Sequence, residues 1–265
     1  MCGRYVLVTK ISEIEARFGV EASFPFGPAY NIGPGAMAPV ISDDNPKELQ
    51  LMQFGLTPFW AKKRMYFFNA RAEGDHNPEN DPRYSGAKGI IKKPAFRKSI
   101  RERRCLVIAD AFIEGTTEEK LDKPYAVYLP KAGRPFAFAG IWDEWVDTDS
   151  GEVVRSFALI TAPATPLLQK LPHHRSPVIL RADQERKWLD KRTPLADVTA
   201  MLSPFGGEMN AYPISAEIKN PRNQGAHLLK PVGPPVFPDK SLKVEGGVTL
   251  QGMGFTRARA RDEGK

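Results

Sequence analysis

Cysteine is almost absent: Cys2 and Cys105 are the only two in 265 residues. Two thiols so far apart form no disulfide framework and match no zinc-site spacing, so a reducing compartment is the expected setting. Histidine is scarce too, with four residues. No run of about 18 apolar residues occurs, so no transmembrane helix is expected. The start "MCGRYVLVTKISEIEARF" carries Arg4, Lys10, Glu13 and Glu15 where a secretory signal would be apolar. These absences point to a cytoplasmic protein with no membrane partner and no metal. Internal repeats are lacking as well.

Positive charge is in excess. The formal net charge is +7, which favours an anionic partner, nucleic acid being the commonest. The stretch "KKPAFRKSIRERR" (92–104) concentrates seven basic residues against Glu102. It reads either as part of such a surface or as an ordinary solvated face. Hydrophobic and charged contents of 42% and 26% are those of a globular protein.

Proline and glycine are frequent and scattered, which implies many loops and short strands. "ISEIEARFGV" predicts a helix with a Ser12/Glu15 capping box and a stop at Gly19. Strands are expected at 105–113, 125–129, 135–142, 153–161 and 177–180, all rich in β-branched and aromatic residues. Helices are expected at 182–190 and 193–202, the second with Thr193 as N-cap and Pro194 at the first helical position. The pattern predicts an α+β domain: a largely antiparallel, barrel-like or two-sheet core flanked by short helices. From about Glu245 the chain is glycine-rich and charged, and a mobile tail is expected.

Cys2 carries the most specific chemistry. Methionine aminopeptidases remove Met1 before a small second residue, so the mature chain is expected to begin with Cys2. Its α-amine and thiol then sit on adjacent carbons, both with reference pKa values of about 8. An aldehyde reacts with such a pair twice: the amine forms an imine, and the sulfur closes a five-membered thiazolidine. A terminal cysteine can instead serve acyl transfer, as in class II glutamine amidotransferases, which also begin Met-Cys-Gly.

Other candidates follow along the chain. In "FFNARAEG", Asn69, Arg71 and Glu73 alternate and would share one face of a strand. In "RRCLVIADAFIEG", Asp110 and Glu114 lie within an apolar strand, where each must find a partner or shift its pKa. A carboxyl raised toward neutrality both donates and accepts protons, as imine formation requires. "LPHHRSPVIL" places His173 and His174 beside Arg175; a histidine can hydrogen-bond a sugar oxygen and favour its open aldehyde. Phe54, Phe59 and Trp60 stand near Lys62 and Lys63, a mixture suited to single-stranded nucleic acid or, as readily, to core packing.

The order of these motifs is specific. "MCGRY", "YNIGP", "FGLTPFWAKK", "NARAE", "KPAFR", "RRCLVIADAFIE", "AFAGIWDEW" and "HHRSPVIL" occur in series. The series resembles the SOS response-associated peptidase (SRAP) family over roughly residues 2–235, with 236–265 as a C-terminal extension. The resemblance implies a monomer without cofactor that binds single-stranded DNA at abasic sites and crosslinks to it covalently in the DNA damage response. It implies Cys2 as nucleophile, Asn69 as a hydrogen-bonding group at the reacting centre, Glu114 in proton transfer and His173 at the abasic sugar. It also implies DNA contacts for Arg4, Trp60, Arg71 and Arg175, lyase and autopeptidase activity, and a nucleoid-associated protein when DNA is bound. Three positions depart from the family pattern. Gly115 stands where many members have Trp, Phe54-Gly55 where many have Trp-Gly, and Ser176 where Met is usual, so less apolar surface is expected near the site.

Overall fold

The β-branched stretches form two sheets that share one core. The computed structural model describes residues 2–238; the tail expected from Glu245 lies outside them. The chain opens with β1 (Arg4–Leu7), α1 (Ile11–Phe18), β2 (Glu21–Ala22), β3 (Ala29–Ile32), β4 (Met37–Ser42) and β5 (Glu48–Phe54). Next come β6 (Asn69–Arg71), α2 (Ser99–Glu102), β7 (Arg104–Ala109), β8 (Ala111–Thr116) and β9 (Lys120–Tyr128). The long β10 (Phe136–Val146) and β11 (Val153–Pro163) precede α3 (Pro166–Lys170), β12 (Arg175–Pro177) and β13 (Ile179–Leu180). Then α4 (Ala182–Leu189), α5 (Leu195–Ala200) and β14 (Asn210–Pro213) follow.

Strands β11, β10, β7, β4 and β5 pair in that order, all antiparallel. A short parallel pairing, Ser156 with Gln53 and Phe157 with Phe54, joins β11 back to β5. The ring therefore closes, which removes the edges an open sheet would leave unpaired. The second sheet runs β14-β9-β8-β1-β3. Aromatic rings tie the two together. Tyr5 of β1 meets Phe54 and Phe138 edge-on, with centroids 5.7 and 6.0 Å apart, and Phe112 of β8 meets Phe138 at 5.9 Å. All four are fully buried, and each such ring contributes on the order of 2 kcal/mol. The expected α+β class with an antiparallel, barrel-like core is what the chain adopts.

Several local expectations give way to tertiary demands. The strand expected at 105–113 breaks at Asp110: β7 belongs to the barrel and β8 to the second sheet. Asp110 is fully buried. Its Oδ2 accepts the backbone N–H groups of Val8 and Thr9 at 2.7 and 2.8 Å, and its Oδ1 accepts the Thr9 hydroxyl at 2.6 Å. The carboxylate thus replaces the ladder where the strand changes sheets. Likewise, 177–180 splits between β12 on β11 and β13 on β10. The Ser12 cap does not form, since the N-cap falls two residues earlier, at Lys10, with no side-chain cap. Gly19 does end that helix, at φ 66°. Pro194, not Thr193, occupies the N-cap of α5; the Thr193 hydroxyl instead donates to the Lys187 carbonyl.

Asp110→Ala would strand two backbone donors and a hydroxyl inside the protein. A loss of about 3 kcal/mol or more is expected, read as a lowered urea midpoint against wild type.

Candidate active site

Three distant segments are brought together by strand register. β1 runs antiparallel to β8, with Arg4 opposite Ile113, Tyr5 opposite Phe112 and Val6 opposite Ala111. The residues just before Arg4 are therefore carried toward Glu114. β6 lies parallel to β11, pairing Asn69 with Leu159 and Arg71 with Thr161. β12 pairs with the end of the same strand, Arg175 opposite Pro163. Strand β11 thus holds Asn69 and the 173–177 segment on one frame.

At the junction, Asn69 Nδ2 donates to the Cys2 carbonyl oxygen at 2.9 Å. Asn69 Oδ1 is buried and meets no donor among the described residues. His173 Nε2 stands 3.4 Å from Glu114 Oε2, with the two side chains 5% and 4% exposed. Burial pushes the Glu114 carboxyl up to about 7 and drives His173 down to about 3, because each loses the solvation its charged form needs. At neutral pH the imidazole is therefore neutral and Glu114 is near its midpoint. Cys2 is fully buried, its Sγ 3.7 Å from the Arg4 carbonyl oxygen. Burial first, and the nearby Glu114 charge second, hold its thiol well above the ordinary value, so it is protonated rather than a ready thiolate.

Beside this cluster opens a pocket of about 530 Å³, with Gly3, Arg4, Glu114, Lys120, His173 and His174 in its wall. Among the described residues no group of three His, Cys, Asp or Glu stands where it could hold a metal. A model of the family described as SOS response associated peptidase (SRAP) matches residues 1–221. The chain belongs to the SRAP family.

Relatives extend over most of the chain. It is 32% identical to abasic site processing protein YoaM of Bacillus subtilis, covering 86% of this chain and 97% of that one. It is 25% identical to abasic site processing protein YedK of Escherichia coli, covering 88% and 100%. A crystal structure of a protein from Bacteroides thetaiotaomicron superposes with a TM-score of 0.71 at 27% identity, over 84% of this chain and 97% of that one. The Met-Cys-Gly start shared with amidotransferases is therefore set in an SRAP chain.

The SRAP site residues expected from sequence fall into two groups. Cys2, Asn69, Glu114 and His173 converge as described. Of the expected DNA contacts, Arg4 remains in the pocket wall, its guanidinium held by Asn31 Oδ1 and the Lys219 carbonyl, both at 2.9 Å. Arg71 is half-buried and donates to the Asn77 carbonyl. Trp60 is 49% exposed but lines a separate cleft with Phe59, Pro94, Arg97 and Lys98. Arg175 needs correction: it is 1% exposed and forks onto Glu73 at 2.7 and 2.8 Å. It also donates to the Thr161 carbonyl at 2.9 Å. A buried guanidinium must be paired, so Arg175 is an internal brace rather than a surface cation. Glu73 does not share a strand face with Asn69 and Arg71; β6 ends at Arg71 and Glu73 turns inward.

The three departures from the family pattern are all interior. Phe54 stacks on Phe157 at 5.1 Å in the core, and Ser176 is 1% exposed. Gly115 is dictated by the chain itself, since a Cβ there would lie 1.6 Å from the Lys120 carbonyl oxygen. The β8–β9 register shifts at this point. Thr117 then bonds the Pro172 carbonyl through its N–H at 3.0 Å and its hydroxyl at 2.7 Å. Its hydroxyl also lies 3.1 Å from His174 Nδ1, and the two histidine rings stack at 5.0 Å. Sequence reasoning missed Thr117 and Lys120; the glycine after Glu114 was the signal of a close backbone approach.

Glu114 sets a pH dependence. Between its unfolded value of about 4.3 and about 7, the native state keeps a proton that the unfolded state has released. Stability therefore falls as pH rises through that window. His173, held neutral by burial, contributes the opposite slope, with stability falling below about 6.5 as the unfolded imidazole takes a proton. Glu114→Gln removes the first slope and leaves the second. Denaturant titrations at pH 4.5 and 7.5 are expected to show the variant gaining about 3 kcal/mol on wild type.

Proposed function

We propose that this protein processes abasic sites in single-stranded DNA by forming a covalent thiazolidine between Cys2 and the sugar aldehyde. Its relatives are named abasic site processing proteins. The observation that carries the reading is the convergence of Asn69 on the Cys2 backbone beside the Glu114–His173 pair.

The steps use groups already in place. Removal of Met1 frees the Cys2 α-amine. Neutral His173 hydrogen-bonds the sugar and favours its ring-opened aldehyde. Asn69 Oδ1, which lacks a donor, accepts from the amine and orients it. The amine adds to C1′ to give a carbinolamine, and Glu114, near its midpoint at neutral pH, removes a proton from nitrogen and returns it to the departing hydroxyl. Water leaves and an imine remains. The Cys2 S–H then adds across the C=N bond, sulfur to carbon and hydrogen to nitrogen, and closes the ring. A thiol kept protonated by burial suits this order, because the amine attacks first. The closed ring offers no iminium, so β-elimination and strand cleavage are blocked. The protein acts as a monomer without cofactor, in the cytoplasm and on the nucleoid. Its net charge of +7 makes DNA binding salt-dependent.

Incubation with single-stranded DNA carrying one abasic site, followed by denaturing electrophoresis, is expected to show a heat-stable adduct. Cys2→Ala abolishes it; an undiminished adduct in that variant, or none in wild type, would overturn the reading. Cys2→Ser forms the imine without the stable ring and is expected to cleave the strand. Glu114→Gln is expected to slow adduct formation by about a hundredfold and to lose the rate dependence centred near pH 7, followed by single-turnover kinetics.

A further inference from the structure

A second concavity lies apart from the pocket at Cys2. It is a cleft of about 770 Å³ between the C-terminal end of α1, β4 and α4, and none of its lining residues belongs to the active-site pocket. Its size lies within the usual range for small-molecule sites.

The cleft has three chemical parts. Phe18, Ile41, Leu106 and Leu189 supply an apolar wall. Asp43 lies in the lining and is only 6% exposed. Its Oδ1 accepts the indole N–H of Trp142 at 3.0 Å, but its buried Oδ2 meets no donor among the described residues. A buried carboxylate oxygen left without a donor is costly. The third part is the rim. Arg17 is committed to Glu185 at 2.8 and 3.0 Å, and Arg192 to Asp190 at 2.8 Å. Lys47, Arg186 and Lys191 are exposed at the same rim and have no ion-pair partner among the described residues.

We infer that this cleft binds a nucleotide unit: a base edge donating an N–H to Asp43 Oδ2, its ring on the apolar wall, and its phosphate on Lys47, Arg186 and Lys191. A bare anion would leave Asp43 Oδ2 without a donor, and an amine without a phosphate would leave Lys47 and Arg186 unmatched, whereas Lys191 already feels the Asp43 charge. A nucleoside monophosphate answers both. The same unit can come from a free nucleotide or from a nucleotide within a strand.

Calorimetric titration of the full chain with CMP, cytidine and ribose 5-phosphate tests this. CMP is expected to bind saturably, and the two fragments on the order of tenfold more weakly. Asp43→Asn keeps an acceptor for Trp142 but turns the other atom into a donor; CMP affinity is expected to fall by about tenfold, the effect of one hydrogen bond to a charged group. Lys191→Ala is expected to weaken CMP and to reduce the salt dependence, and it carries the test if thermal melting shows Asp43→Asn to be unfolded. Cys2→Ala must bind CMP as wild type does, whatever becomes of its crosslinking. Absence of saturable binding at millimolar CMP, equal affinity for ribose 5-phosphate, an unaffected folded Asp43→Asn, or loss of binding in Cys2→Ala would each overturn the inference. Competition with a short oligonucleotide lacking abasic sites separates the sources: tighter displacement identifies a strand, and retained CMP identifies the free nucleotide.

Discussion

The arrangement depends on one buried carboxylate. Asp110 sits where a single apolar run must leave the barrel and join the second sheet, and it takes three donors from Val8 and Thr9 in place of the interrupted ladder. That bond set anchors the end of β1 to the start of β8. The register Arg4–Ile113 follows, and with it the approach of the N-terminal residues to Glu114. The carboxylate of Asp110 is spent on these bonds, and it determines where Glu114 stands.

The other half of the site is held by a second buried charge. Arg175 and Glu73 form a closed fork between the ends of β12 and β6, both of which hang on β11. Such a pair adds little net stability, because desolvation offsets its attraction, but breaking it is expensive. It therefore acts as a constraint on position, keeping Asn69 and His173 on the same side. The low-dielectric interior that makes this brace necessary also raises Glu114 and depresses His173. One physical cause, exclusion of water, accounts for both the need for the brace and the two displaced protonation equilibria.

Formal charge proves a poor map of the surface. In the basic run at 92–104, Arg104 is buried and spends its guanidinium on the carbonyls of Ile100, Arg101, Trp188 and Asp190. Arg103 pairs with Asp143 and Lys93 with Asp75. Lys98 lies over the Phe59 ring. The cations without ion-pair partners at the α1–α4 cleft come instead from Lys47 and from the 186–191 stretch around the end of α4.

The sequence by itself determined what is local or covalent. The β-rich α+β class was legible in the β-branched runs and the end of α1 in Gly19. The family was legible in the order of short motifs. Only the tertiary structure decided what each polar residue is for. Asp110 and Glu114 occupy the same apolar run, yet Asp110 meets three donors and serves as a brace, while Glu114 faces a histidine and is driven toward neutrality. Arg4 and Arg175 read alike as DNA contacts, yet one lines the pocket and the other is sealed against Glu73. Gly115 read as a lost aromatic, whereas the backbone of Lys120 leaves no room for any side chain. The reason is common to all three. A side chain's role follows from its solvation and its partners, and those are set by neighbours that only folding brings near.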